Sequence, residues 1–474
     1  MTGIRPVGLS PVAVAEKTLP EIAKRGVATP TYDRRSLTPA ILHVGVGGFH
    51  RAHMAVYTDE VAAAGGRWGI RGVGLLDADR RMADTLSSQD HLYTVVERDN
   101  SGARPRVVGS IVDYAFLAGR ADSFAQHVAS DQVEILSLTI TESGYSLAEP
   151  NPTIEAIASA LDARRRAGSR PLTVLSCDNL PGNGDVARQA ITTVARGRSE
   201  ELARYVEAAC SFPNSMVDRI TPQTKNEDRA WLLDELGIDD GWPVVCESFR
   251  QWVVEDRFAL GRPDWQQAGV LFTDRVEDWE HYKLRMLNAS HSCMAYLMAL
   301  AGVVYVDEAV EIPVVRRYLE QFLELEAIPT LTEIPGYPAS TYAATTLERF
   351  GNTGIRDQIA RLCIDGTAKF PTFLIPTIEA QLEPDGPISR AALALAAWCR
   401  YLATVPPNER APDSLGRRSS ELARRSIDDP LAFLELDEVF TPALRQSNRF
   451  RDEFSAAGRA LAERGPIGAI QEAL

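Results

Sequence analysis

Ile41-Leu-His-Val44-Gly45-Val-Gly47-Gly48-Phe49-His50-Arg51 is the stretch on which the fold turns. Its first four residues are apolar apart from His43 and read as a buried strand, and a helix follows through residues 54–64 until Gly65-Gly66 stops it. Between them, the glycine at 45 permits a tight turn. The glycine at 47 lets the backbone approach a pyrophosphate at the helix N-terminus. The third glycine of G-x-G-x-x-G is missing, because His50 stands there. The order strand, glycine turn, helix therefore carries the dinucleotide reading more than the glycines themselves.

Outward from this turn, strands are expected at residues 69–76, 93–97, 107–111, 134–140 and 172–177, with helices at 121–129 and 153–167. Strands alternating with helices predict an α/β, Rossmann-type domain with a parallel sheet covered on both faces. Beyond Trp279 helical periodicity takes over, at residues 282–300, 312–325, 343–350, 354–363, 390–402 and 415–426. A boundary near residues 272–280 predicts a dinucleotide-binding domain of residues 1–275 and a mainly α-helical domain of residues 276–474. Pro6, Pro11, Pro20 and Pro30 make the first forty residues look like an extended lead-in.

The chain of 474 residues carries a net charge of −14, which argues against a nucleic-acid surface, where clustered Lys and Arg are needed. No apolar run approaches the length of a membrane span, and the start has no continuous apolar segment of the secretory kind. Six scattered cysteines without a C-x-x-C pair read as reduced core residues of a cytoplasmic protein. His50 and His53 have metal-like spacing but no third ligand in the sequence nearby, so no metal is expected.

A second stretch, Lys283-Leu-Arg-Met-Leu-Asn288-Ala-Ser-His291, opens an apolar helical run. On a wheel of about 100° per residue, His291 falls near 80° from Lys283, Glu280 near 60° and Asn288 near 140°, among Leu287, Met294 and Met298. Polar groups on a core-facing stripe are costly unless partnered. A lysine desolvated there loses some preference for its charged form, the requirement for a lysine general base. The bland alternative is a snorkelling lysine and a hydrogen-bonded core histidine.

Other polar residues stand at expected strand ends. Asp77 or Asp79 would accept from a ribose 2′-hydroxyl and favour NAD, or cap the next helix, while Arg80 and Arg81 would suit the 2′-phosphate of NADP. Asn179 is either an oxyanion donor or a turn asparagine. Asp218-Arg219, inside an apolar run, reads as a structural ion pair.

Together, Gly45-Val-Gly-Gly-Phe-His-Arg-Ala-His53, Thr139-Ile-Thr-Glu142, Ser176-Cys-Asp-Asn179, Met216-Val-Asp-Arg219, Lys283-x-x-x-x-Asn288-x-x-His291 and Arg361-x-x-x-Asp365-Gly-x-x-Lys369-Phe-Pro371 resemble the long-chain polyol dehydrogenases. The likeness runs from about residue 38 to 460. It implies a zinc-independent enzyme that interconverts a polyol and a ketose, D-mannitol and D-fructose first, with NAD or else NADP. By the same resemblance, Lys283 is the general base, Asn179 and Asn288 the oxyanion hole and His291 a substrate-orienting group. Glu280 serves proton passage, and Asp218, Arg361 and Lys369 line the polyol site. Gly45, Gly47, Gly48, Phe49, His50, Arg51 and Asp79 hold the cofactor. The family also includes hexuronate reductases and D-arabinitol dehydrogenases. A non-catalytic nucleotide sensor is the remote alternative. The expected partner is a small polyol or ketose, with neither nucleic acid nor membrane, and the expected state is a monomer or small homo-oligomer.

Overall fold

A computed structural model describes residues 10–474 of the chain. It divides into two compact units, Met1–Glu277 and Asp278–Leu474. No helix among the described residues is long and apolar enough to cross a membrane.

The first unit is built on five parallel strands, β1 (Thr38–Val44), β2 (Trp68–Gly74), β3 (Ile111–Phe116), β4 (Ile135–Leu138) and β5 (Thr173–Ser176), in the order β3-β2-β1-β4-β5. The order reverses beside β1, so the sheet opens a ligand crevice at that strand's carboxyl end. Strand periodicity of two explains the two apolar layers. Ile41, Ile70 and Ile135 point into one, with Ala55, Val56, Val61 and Leu86 of the helices Met54–Ala63 and Arg80–Ser88. Leu42, Val44, Leu136 and Leu138 point into the other, against Phe124, Ile154, Leu161 and Ile191. Each fully buried branched side chain contributes about 1.5–3 kcal/mol, so shifting β1 by one residue would misplace a whole layer.

Two expectations fail here. The segment 107–111 is not one strand: Gly102–Val108 pairs antiparallel with Tyr93–Asp99 in a separate small sheet, and β3 begins at Ile111. From residue 10 onward the lead-in is folded, not extended; Pro6 lies outside the described residues. Val12–Ala13 pairs with Ile238–Asp239, Leu19–Lys24 is helical, and Val12, Val14, Ile22 and Val27 pack on Leu92, Val107 and Ile238. Partners more than 60 residues away in the chain override the prolines.

The second unit is helical. Ser389–Thr404 lies at its centre, and Ala391 to Cys399 are all buried, as expected of a helix apolar on every side. Its N-terminus is capped by the buried Glu326, whose carboxylate accepts from the N–H groups of Arg390 (2.9 Å) and Ala391 (3.0 Å). The expected helix at 354–363 shrinks to Ile359–Leu362. Arg356 takes a positive φ of 52°, its side chain stacked on Tyr305 and paired with Asp307 and Glu308. The closing helix Asn448–Ala473, with a kink at Gly465 before Pro466, was not anticipated from periodicity.

Candidate active site

In the first unit the site begins at the turn after β1. Gly45 has φ +92°, and a Cβ there would sit 2.1 Å from the Thr139 carbonyl oxygen, so only glycine fits. Thr139 laces the turn: its N–H donates to Val44 O (3.0 Å) and its hydroxyl to Gly45 O (2.6 Å). Because that hydroxyl proton is engaged, His43 Nε2 donates to Thr139 Oγ1 (3.0 Å), and His43 Nδ1 accepts from Ser137 (2.8 Å). Gly47 is different. It has an ordinary φ of −105°, and a Cβ there would meet nothing closer than Gly45 O at 3.8 Å. Packing and backbone conformation therefore do not require a glycine at this position.

The residues after the turn serve mainly to hold it. His50 is buried and stacks on His43 with ring centroids 3.4 Å apart, and Phe49 stacks on His53 at 4.9 Å. Burial holds His43 and His53 down to about 3 and His50 well below its ordinary value, so all three are neutral imidazoles. The buried Arg51 donates to Trp242 O and Gly47 O, fastening the turn to the rest of the domain. Among the described residues no group of three or more His, Cys, Asp or Glu is placed to hold a metal ion.

Asp79 lies after β2, partly exposed, with one carboxylate oxygen accepting from Leu76 N–H at 3.0 Å. Capping the turn and reading a ribose are therefore compatible, since the carboxylate has a second oxygen. Asn179 is exposed just beyond β5. Its loop is set by its neighbour Asp178, buried, which accepts from Thr141 N–H (2.7 Å), Ile140 N–H (3.1 Å) and the Tyr145 hydroxyl (2.6 Å). Burial raises the Asp178 carboxyl, and these donors oppose the rise. Asp218 is buried at the end of Ser215–Asp218. Arg219 pairs with Glu97 at 2.5 Å and donates to Ala52 O and Glu247 O, which ties this segment to a distant strand.

In the second unit Val276–Tyr282 carries Glu280, and the chain then opens into a π-helix, Lys283–Asn288, before the α-helix Ala289–Leu300. The even 100° wheel of the sequence reading is thus corrected. The Ala289 N–H donates to Leu284 O, an i→i+5 closure. Wider winding brings residues five apart toward one side, so Asn288 stands closer to the Lys283 face than an α-helix would place it. Such turns are frequent at functional sites. Glu280 and Lys283 are both buried, at 7% and 8% exposure. The half-buried His291 stacks on Phe350 at 4.3 Å, and its buried Nε2 has no partner among the described residues. Burial drives its pKa down to about 3; Asp357 opposes this, and Arg361, Arg349 and Lys369 reinforce it. Arg361 is held by both oxygens of Asp357, with Nε at 2.7 Å. Lys369 Nζ donates to Leu362 O at 3.0 Å, and burial lowers its affinity for a proton.

Two family models match this chain, the mannitol dehydrogenase Rossmann domain over residues 39–267 and the mannitol dehydrogenase C-terminal domain over residues 275–462. The chain belongs to the mannitol dehydrogenase family. It is 39% identical to a mannitol 2-dehydrogenase of Phaeosphaeria nodorum, over 94% of this chain and 84% of that one. It is also 39% identical to one of Aspergillus terreus, over 96% and 98%. A solved Pseudomonas fluorescens mannitol 2-dehydrogenase, in ternary complex with NAD and D-mannitol, matches at a TM-score of 0.87 and 38% identity, covering 97% of this chain and 99% of that one. A D-sorbitol dehydrogenase in substrate-free form matches at 0.88 and 33%, covering 96% and 100%. In this member of the mannitol dehydrogenase family, sequence reasoning missed the supporting layer: Thr139 behind Gly45, Asp178 beside Asn179, and Asp357 behind Arg361. Thr139 and Asp178 lay inside motifs already singled out. Asp357 was marked only by its spacing, four residues before Arg361, the i,i+4 pairing distance.

Proposed function

We propose that this protein is an NAD-dependent polyol dehydrogenase that interconverts D-mannitol and D-fructose. The observation that carries the reading is a buried lysine opening a π-turn, with Asn288 on that turn and, one α-turn further, a neutral histidine whose Nε2 is unclaimed. The glycine turn suits the cofactor. Gly45 makes the bend, Gly47 leaves the backbone bare where a pyrophosphate would lie, and Asp79 offers a carboxylate oxygen to a ribose diol. When bound, NAD supplies the hydride acceptor.

Lys283, neutral, takes the proton of the C2 hydroxyl. The amides of Asn288 and Asn179 donate to the alkoxide-like oxygen, and Glu280 relays the proton onward from the lysine. His291, unprotonated, uses Nε2 toward a neighbouring sugar hydroxyl and fixes the register. Arg361, kept in place by Asp357, and Lys369 and Asp218 contact the remaining hydroxyls. Likeness to the enzyme whose structure holds NAD and D-mannitol supports this assignment.

The test is absorbance at 340 nm with mannitol, sorbitol, arabinitol, fructose and fructuronate, using both NAD(H) and NADP(H). Highest kcat/KM for mannitol and fructose with NAD(H) is the expected outcome, and silence across the panel would refute it. A second reading, D-sorbitol oxidation at the same carbon, is favoured by the likeness to a D-sorbitol dehydrogenase. A preference for sorbitol over mannitol would establish it.

A further inference from the structure

The imidazoles of this chain are aimed in two ways. Hydrogen bonds aim His43, whose Nε2 and Nδ1 meet Thr139 and Ser137 at 3.0 and 2.8 Å, and His53, whose Nε2 meets Gln251 O at 3.0 Å. His291 is aimed otherwise. No described residue hydrogen-bonds its ring, and its buried Nε2 is unclaimed. An imidazole without a hydrogen-bonded nitrogen lacks the usual device that fixes its tautomer and orientation. The ring is nevertheless held, face to face with Phe350, with centroids 4.3 Å apart and planes 29° from parallel. Both nitrogens lie in the plane of the imidazole, so fixing that plane fixes where Nε2 can point.

Phe350 is itself firmly built in. It is buried and closes the helix Ala339–Phe350, after which the Gly351 N–H donates back to Glu348 O at 3.1 Å. Just over two turns earlier in that helix, Tyr342 meets Tyr282 edge-on at 5.8 Å. Tyr282 immediately precedes Lys283, and His291 follows Asn288 by one α-turn. The helix thus packs along the π-turn and grips it by one aromatic contact before Lys283 and another after Asn288. A phenyl ring offers the imidazole neither proton donor nor acceptor, so Nε2 stays available to a sugar hydroxyl. The charged groups around His291, which are Asp357, Arg361, Arg349 and Lys369, act on it through space without hydrogen-bonding the ring.

We propose that Phe350 is a positioning residue of the polyol site, the flat wall that sets the plane of the His291 imidazole against the sugar. The inference rests on the sugar-orienting role of His291 in the reading above and deepens it. Register, not proton transfer, depends on this contact. Its loss should therefore appear in KM for the sugar more than in kcat or in cofactor binding.

A double-mutant cycle on the full-length protein, read by steady-state kinetics with D-mannitol and NAD, isolates the contact. Phe350→Leu should raise KM for mannitol by about 3- to 10-fold, the factor expected for one aromatic pair, while kcat and NADH affinity change less than about twofold. In a His291→Ala background the same substitution should change KM less than about twofold. Phe350→Tyr, which keeps the ring, should keep most of the wild-type affinity for the sugar. Phe350→Met, closer to the ring in volume, should behave as Phe350→Leu and takes its place if leucine unfolds the protein. An unchanged KM in Phe350→Leu, or the same factor lost in both backgrounds, would overturn the positioning role while leaving His291 in the site. His291→Ala with a wild-type KM would instead remove the sugar contact itself, and the positioning role with it.

Discussion

Replacing Gly45 and Gly47 by alanine, one at a time, should separate what the chain needs from what the ligand needs. At Gly45 the added Cβ would lie 2.1 Å from Thr139 O and 2.8 Å from its carbonyl carbon, and φ is +92°. The backbone conformation alone costs an alanine about 1–3 kcal/mol. Relieving the clash means moving the β1 end away from β4 by more than an ångström. That movement loosens the Thr139 N–H to Val44 O bond and the Thr139 hydroxyl to Gly45 O bond, each worth about 1 kcal/mol net. Gly45→Ala should therefore lose about 3–5 kcal/mol of stability, a fall in Tm on the order of 10 °C. At Gly47 the nearest atom is 3.8 Å away and φ is −105°, so Gly47→Ala should melt within about 2 °C of the wild type. Its NADH affinity should nevertheless fall at least tenfold, because the methyl stands where the pyrophosphate meets the backbone. Thermal melts without cofactor and NADH fluorescence titrations measure the two effects independently. A Gly45→Ala protein with wild-type Tm, or a Gly47→Ala protein with wild-type NADH affinity, would refute the reasoning.

Lys283→Ala should reduce turnover by several orders of magnitude while NADH binding stays almost intact; near-normal fructose reduction by this variant would remove the assignment. Asn288→Ala should cost about 2.7–4 kcal/mol in kcat, read from steady-state kinetics. Asp357→Asn, which withdraws the charged partner of Arg361, should raise KM for the sugar about tenfold with a smaller change in kcat. On acidification, His43, His53 and His291 keep folded pKa values near 3 against about 6.5 unfolded, so the unfolded chain takes up more protons. Their stabilising contribution is complete above pH 6.5 and is lost as pH falls toward 3. Glu326, raised to about 7 by burial, acts oppositely, its folded state gaining stability as pH falls from 7 to about 4.5. Urea unfolding at pH 7.5, 6 and 5 should show a net loss of stability, and a flat profile would contradict the three neutral imidazoles.

The sequence alone reached the parallel sheet, because β1, β2, β4 and β5 are short apolar runs with local turn signals on both sides. It reached Gly45 for the same reason: the need for a positive φ is written into a single residue. It also marked Lys283, Asn288 and His291 by their polarity within an apolar run. Where it failed, the deciding contacts were distant in the chain. Val12 and Ile22 are folded by Leu92 and Ile238, and β3 was misplaced because strands of two different sheets adjoin at residues 108–111.

Local chemistry therefore determined the classes of element and the polar side chains on which the proposed reaction rests, since periodicity, glycine freedom and misplaced polarity act over a few residues. Only the folded structure showed the π-winding of Lys283–Asn288, the donors around the Asp178 carboxylate, the pairing of Arg219 with Glu97 and the capping of Ser389–Thr404 by Glu326. The last three depend on which groups packing brings within about 3 Å from far along the chain, a proximity that neighbours in sequence do not encode.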